Sequence, residues 1–296
     1  MGKRKGKRKG KRSERETEHR IAELLRLPEG PVDLSQIDTH GKPGFHGGKQ
    51  DGKEALAVLG AELAELQEKL FAQGYTGSRQ RVLLVLQGMD TSGKGGVLSH
   101  TVGLMEVSGL ALMSFKKPTE EELAHDFLWR IERALPNPGE IGIFDRSHYE
   151  DVLVVKVHEL ADADEIERRY GAINAFEKRL TDTGTTVIKC MLHISAEEQR
   201  ERLLARLDEP TKQWKFKPGD VDERGRWADY QAAYETALER CNTPNAPWYV
   251  VPSDRKWYRN WAIAQLLMDA LRALDLDWPE PDYDVAEQHA RLAAGS

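Results

Sequence analysis

"RVLLVLQGMDTSGKGGVLSH", Arg81 to His100, decides how the chain is read. The apolar run Arg81 to Leu86 is short and rich in branched aliphatic residues, which suits a strand buried on both faces, as in a parallel sheet covered by helices. A glycine loop follows, and a helix is expected to open near Gly93. Gly88, Gly93 and Lys94 match G-x-x-x-x-G-K, the Walker A outline. In such a loop successive main-chain N–H groups surround phosphate oxygens, and the lysine ammonium lies over them. Met89, Thr91, Ser92 and Gly96 complete the candidate phosphate- or nucleotide-binding loop. After the lysine stands Gly95, where the standard loop carries a Ser or Thr that helps hold Mg2+. An ordinary strand-to-helix turn is the plain alternative. A dinucleotide fingerprint fits worse, because "SGKGGVL" lacks G-x-G-x-x-G.

Outward from this loop the chain alternates. Helical spacing of Leu and Ala predicts a helix over Glu54 to Phe71. Strands are expected at Leu110 to Phe115, Glu140 to Phe144, Thr185 to Ile194 and Pro247 to Pro252. Capping boxes at Thr119/Glu122 and Ser195/Glu198 open helices expected to run to about Leu135 and Leu207. Further helices are expected over Ala163 to Thr181, Asp222 to Glu239 and Lys256 to Leu274. Strands alternating with helices predict an α/β class: a three-layer α/β/α domain with a mostly parallel central sheet. Residues 21–80 form an N-terminal wrap and helix, 81–278 the core, about 196–239 a helical lid, and 279–296 a C-terminal tail.

Charge is distributed unevenly over the 296 residues. The formal net charge of -6 divides into +7 over residues 1–20, "MGKRKGKRKGKRSERETEHR", and -13 over the rest. The first stretch reads as a disordered basic arm, either a solubilising terminus or a contact for polyanions. The acidic remainder argues against a general or specific nucleic-acid binder. Cys190 and Cys241 belong to no metal-spaced cluster and fit free thiols in a reducing compartment. No apolar run approaches the length of a membrane span, so a cytoplasmic protein without membrane contact is expected.

Two carboxylates could replace the missing hydroxyl. Asp90 lies inside the loop and Asp145 ends the strand "IGIF", in Walker B position, so both are candidate Mg2+ ligands between polyanionic substrates. A helix-capping role is the alternative for either. Arg202 and Arg206 share a helical face, with Lys212, Lys215 and Lys217 following, and each could equally be a solvated charge paired with glutamate. Trp214 and Trp248 read as packing anchors beside prolines, and Trp257, Tyr258 and Trp261 as the apolar face of the last helix.

"GMDTSGKGG", "FKKPTEEE", "FLWRIERALPNPGEIGIFDRSHYEDVLV", "HISAEEQRERLLARLDEPTKQWKF" and "APWYVVPSDRKWYRNWAI", in that order, resemble polyphosphate kinase family 2 over about residues 30 to 278. The branch it looks like phosphorylates nucleoside mono- and diphosphates from inorganic polyphosphate. The resemblance implies a P-loop kinase-like core, a mobile helical lid, Mg2+ (with Mn2+ as a substitute) and a homo-oligomer, dimer or tetramer. It makes Asp90, Lys94, Asp145 and Arg146 the catalytic candidates, with Arg202 and Arg206 as phosphate ligands. Lys116, Lys117, Arg133, Lys212 and Lys215 become candidates for a polyphosphate channel. His148 stands where many relatives carry Tyr or Trp and is read as a packing residue. Polyphosphate, AMP, ADP and possible GDP are the implied substrates. An ATP-dependent nucleotide or small-molecule kinase, and a non-catalytic polyphosphate- or RNA-binding protein, are the competing readings.

Overall fold

Alternation along Arg81–Gln87 sends Leu83 and Val85 to one core and Val82, Leu84 and Leu86 to another, with all five fully buried. A strand with both faces covered must lie inside a sheet, and the computed structural model, which describes residues 21–295, puts it at the centre of one. The strands are β1 (Arg81–Gln87), β2 (Leu110–Ser114), β3 (Ile141–Asp145), β4 (Thr185–His193) and β5 (Trp248–Pro252). All pairs are parallel, in the order β2-β3-β1-β4-β5. Stripping Leu84 to Ala would leave a hole between the sheet and its helices, at a cost of about 2–5 kcal/mol. The arm proposed for residues 1–20 lies outside the described residues.

The helices follow in chain order. α1 (Lys49–Tyr75) outruns the expected Glu54 to Phe71, because the Asp51 carboxylate accepts the Gly48 N–H at 2.6 Å and starts it early. α2 (Lys94–His100) opens after Gly93 as expected. The single helix expected from Thr119 to Leu135 is two short ones, α3 (Glu120–Leu123) and α4 (Trp129–Glu132). The Thr119/Glu122 box forms in both directions, but Asp126 then accepts the Leu128 N–H at 3.0 Å in an Asx turn that breaks the run. α5 (Val154–Val157), which the spacing did not suggest, precedes α6 (Ala163–Asp182). α7 (Ala196–Asp208) has half its expected box. Ser195 Oγ accepts from Glu198 N, but the Ser195 N–H donates to Asp254 and Glu198 pairs with Arg202. The polar helix expected over Asp222 to Glu239 is divided into α8 (Gly219–Gly225) and α9 (Trp227–Arg240). α10 (Lys256–Ala273) closes the core, and α11 (Val285–Ala293) lies within the segment expected to be a plain tail.

Two layers of helix cover the sheet. α1, α2 and α10 pack on the face of Leu84, whereas α6 and α9 pack on the face of Val85. Residues 28–47 run over the C-terminal ends of β4 and β5, anchored where Thr39 Oγ1 and His40 meet Asp254 Oδ2 at 2.7 and 2.6 Å. Phe45 is buried against Trp257 and Trp261. Trp248 is buried as expected, but Trp214 is 76% exposed: its indole N–H reaches only the Thr211 carbonyl of its own turn, and Lys215 lies over the ring. Both cysteines are free and buried. Among the described residues no helix is long and apolar enough to cross a membrane.

This topology creates the site. β1 and β3 are neighbours, with Leu86 in register with Asp145. The chain leaves β1 for α2 on one face and leaves β3 for α6 on the other, so a crevice opens between their C-terminal ends.

Candidate active site

The loop after β1 turns sharply at Gly88 and enters α2 at Gly93, whose φ is +108°. A Cβ at Gly93 would overlap the Arg259 guanidinium, so glycine is required there for space as well as for dihedral. Gly95 is different. Nothing lies within 4 Å of where its Cβ would stand, so the absent hydroxyl is not a steric necessity. Thr91 takes φ +62°, an uncommon conformation for a β-branched residue that persists only where neighbours enforce it.

Lys94 Nζ donates to the Gly88 carbonyl at 2.8 Å. Burial holds the ammonium below its usual pKa, as does the nearby Arg146 charge, while Asp90 and Asp145 oppose the shift. Asp90 Oδ1 accepts from Arg146 Nη2 at 3.0 Å. Asp145, one residue earlier, accepts from Ser114 Oγ at 3.3 Å. Arg146 also has a left-handed backbone, φ +65°, its N–H held by the Leu86 carbonyl at 3.0 Å. Burial works to lower its pKa, but the carboxylates of Glu150 and Asp90 outweigh it and hold the guanidinium above the ordinary range. Glu150 is itself pushed up by burial, against Arg146, and accepts from Gln87 at 3.0 Å.

A buried polar cluster stands behind this turn. His148 is fully buried, with Nε2 3.2 Å from Glu177, in keeping with the packing role expected of it. Lys189, also fully buried, donates to Glu177 at 2.6 Å, to Tyr149 at 2.8 Å and to the Cys241 carbonyl at 2.7 Å. Asp151 faces Arg130 and Arg169. A buried pair such as Lys189 and Glu177 fixes geometry more dependably than it adds stability.

Two cavities meet at Asp90. One, of about 540 Å³, lies over the loop and is lined by Lys94, Arg202, Arg206, Lys212, Lys215, Lys256 and Arg259, with Asp145 at its edge. The other, of about 240 Å³, lies between the segment after β3 and helices α7, α8 and α9 and holds Arg146, Glu150, His158, Asp220, Glu223, Tyr230 and Tyr234. There His158 Nε2 is 3.0 Å from Glu223 Oε1, and Tyr230 donates to Glu223 Oε2 at 2.6 Å. The expected residues therefore divide. Asp90, Lys94, Asp145, Arg206, Lys212 and Lys215 share the first cavity and Arg146 lines the second.

Arg202 borders the first cavity, but its donors already serve protein acceptors. They reach Glu198, the Thr91 and Ser92 carbonyls, and the Ser253 and Asp254 carbonyls. Expected as a phosphate ligand, it borders the cavity and also braces the loop. Lys116, Lys117 and Arg133 line neither cavity. The lysines follow β2 as exposed residues, and the Arg133 guanidinium stacks over Trp129 at 4.8 Å. Lys256 and Arg259 are not legible as site residues in the sequence because "RKWYRNW" reads as an apolar helix face. Their one signal was a pair of basic residues three apart on that helix. Glu150 and Gln199 also escaped notice.

A model of the family described as Polyphosphate kinase 2 matches residues 47–278. The chain is 46% identical over 255 residues to an AMP/ADP-polyphosphate phosphotransferase of Meiothermus ruber, covering 86% of this chain and 94% of that one. It is 39% identical to an ADP-polyphosphate phosphotransferase of Rhodopseudomonas palustris, covering 86% and 91%. The crystal structure of polyphosphate kinase 2 from Arthrobacter aurescens TC1 superposes with a TM-score of 0.90 at 55% identity, covering 93% of this chain and 97% of that one. With the crevice between β1 and β3, the loop lysine and the paired aspartates already in place, these matches establish that the chain belongs to the polyphosphate kinase 2 family.

Proposed function

We propose that the chain catalyses reversible, Mg2+-dependent transfer of a phosphoryl group between inorganic polyphosphate and AMP or ADP. The observation that carries this reading is the pair of cavities meeting at Asp90, one cationic enough for a chain of phosphates and the other mixed in charge and bordered by aromatic rings. Polyphosphate would lie over the loop along Lys94, Arg206, Lys212, Lys215 and Lys256. The nucleotide would sit under the lid with its phosphates against Arg146. A terminal phosphate oxygen of the nucleotide attacks the terminal phosphorus of polyphosphate; a P–O bond forms to the acceptor, and the P–O bond to the penultimate phosphate breaks. Polyphosphate leaves one unit shorter and carries the electron pair away. The attacking oxygen is already ionised, so alignment and charge neutralisation matter more than a general base. Lys94 and Arg146 would stabilise the phosphoryl group in transit.

Among the described residues no group of three or more His, Cys, Asp or Glu could hold a metal alone. Two carboxylates, Asp90 and Asp145, bordering one cavity nonetheless fit Mg2+, which commonly takes one or two carboxylates and completes its shell with water and substrate phosphate. When bound there, it supplies charge neutralisation between the donor and acceptor phosphates. An all-oxygen site also suits Mn2+, which we propose as a substitute. A homo-oligomer, dimer or tetramer, and a cytoplasmic location belong to the same reading, the latter consistent with two unpaired thiols.

The test is an acceptor panel. With Mg2+ and short- or long-chain polyphosphate as the only donor, AMP and ADP should be converted to ADP and ATP, with GDP run beside them. Product formation only when ATP is supplied as donor would favour an ordinary P-loop kinase instead.

A further inference from the structure

Three side chains grip the back of the phosphate loop. Gln199 Nε2 donates to the Asp90 carbonyl at 3.2 Å, and Arg202 Nη1 to the carbonyls of Thr91 and Ser92 at 2.8 and 3.0 Å. Arg259 Nη1 donates to the Ser92 carbonyl at 3.0 Å. Three consecutive carbonyls are thereby drawn to one side of the loop. In a trans peptide the N–H of the next residue points opposite to the carbonyl. Holding the Asp90 and Ser92 carbonyls inward therefore turns the Thr91 and Gly93 N–H groups outward. The intervening Ser92 N–H closes the turn on the Met89 carbonyl at 3.0 Å. Among the described residues the amides of Thr91, Gly93, Lys94 and Gly95 have no hydrogen-bond acceptor, and all four residues border the cationic cavity.

Apart from Lys94 on the Gly88 carbonyl, the loop's own side chains add little to this shape. Thr91 Oγ1 and Ser92 Oγ are buried without partners, although Thr91 holds a left-handed dihedral. Enforcement comes from outside. Arg259 is buried, its pKa pushed down to about 9 by burial and by the neighbouring Arg202 charge, and it occupies the space that side chains at Gly93 and Gly96 would need. Gln199 and Arg202 both ride on α7, four residues before Arg206 in the latter case. Arg224, on the lid helix α8, holds the Gln199 amide oxygen at 2.9 Å and the Ala196 carbonyl at 2.7 Å. α8, α7 and the loop are joined by one continuous set of hydrogen bonds.

We propose that Gln199, Arg202 and Arg259 are positioning residues, a cradle that pins the loop carbonyls inward so that its amides face the donor phosphates. Arg224 ties the cradle to α8, so the position of α8 and the amide direction change together. This rests on reading the loop as phosphate-binding. Wild-type protein that bound no tripolyphosphate would remove that reading, whereas wild-type binding with unaltered cradle variants would remove this inference alone.

The test uses Arg259→Ala and Gln199→Met in the full chain, with tripolyphosphate affinity by calorimetry, kcat and KM, and rescue by methylguanidinium at millimolar concentration. A misplacement of about 1 Å in an aligning group costs on the order of 100-fold in rate. Arg259→Ala should lose about that much, bind tripolyphosphate at least tenfold more weakly, and recover part of both with methylguanidinium, while KM for ADP stays within about twofold. Gln199→Met, which opens no large cavity, should lose about tenfold in kcat. If Arg259→Ala does not fold, Gln199→Met decides, with Arg224→Met predicted to reproduce its loss. Folded variants with tripolyphosphate affinity and kcat within twofold of wild type overturn the proposal, as does a loss that methylguanidinium leaves untouched while Gln199→Met is normal.

Discussion

The cavity over the loop and the cavity beside α8 and α9 share Asp90 and little else. The first gathers seven basic side chains against two aspartates, and the second sets Arg146 among Glu150, Asp220, Glu223 and two tyrosines. The chain outside its first twenty residues is acidic, yet one concave surface inverts that sign, as a focused cleft can. Two polyanionic substrates must approach end to end, and a site of uniform positive charge would let either bind in both places. In the proposed arrangement, grading the charge across Asp90 would give a long phosphate chain one entrance and a nucleoside the other.

Breaking the junction should have the largest effect. Asp90→Asn removes the carboxylate that both cavities share, and a fall in kcat of about 1,000-fold is expected in steady-state assays, with folding checked by circular dichroism. Lys94→Met should cost about 100-fold. Wild-type enzyme carries a related signature in pH. Because Lys94 titrates below an ordinary lysine, its charged form disappears earlier as pH rises, so the alkaline limb of kcat/KM should begin below the usual lysine range. Lys94→Arg should move that limb upward.

Changes confined to one cavity should separate the substrates. Arg206→Ala with Lys215→Ala is expected to raise KM for long-chain polyphosphate about tenfold and to soften its salt dependence, with KM for ADP unchanged. Glu223→Gln, which loosens His158 and Tyr230 together, should do the reverse, raising KM for ADP about fivefold and leaving polyphosphate alone. If each variant moved both constants equally, the division between cavities would fail. The smallest effect belongs to Gly95→Ser. Open space there predicts a folded enzyme with activity within about twofold, as the proposed Mg2+ ligation by the two carboxylates requires.

The fold was legible wherever one local signal sufficed. β1 declared itself by an unbroken apolar run, β4 by branched and apolar residues on either side of Lys189, and Thr119 with Glu122 by spacing. The helix after that cap is shorter than its spacing predicts because Asp126, a residue neutral to periodicity, competes for a backbone N–H that the helix needs. At the site, Asp90, Lys94 and Asp145 stood out because glycine-loop chemistry is local in sequence. Arg259 could not, being 167 residues from the Ser92 carbonyl it holds. Arg202 shows the complementary limit. Helical spacing put it on the same face as Arg206, but no sequence feature says that its guanidinium turns back to the loop while Arg206 borders the cavity.

The most direct test of the account is the initial rate of ATP formation from ADP and polyphosphate, with Mg2+ present and no ATP supplied, for wild type and folded Asp145→Asn side by side. Rapid formation by wild type, abolished by chelation and reduced about 1,000-fold in the variant, is the predicted result. Absence of product from wild type, or equal rates for the two proteins, would contradict it.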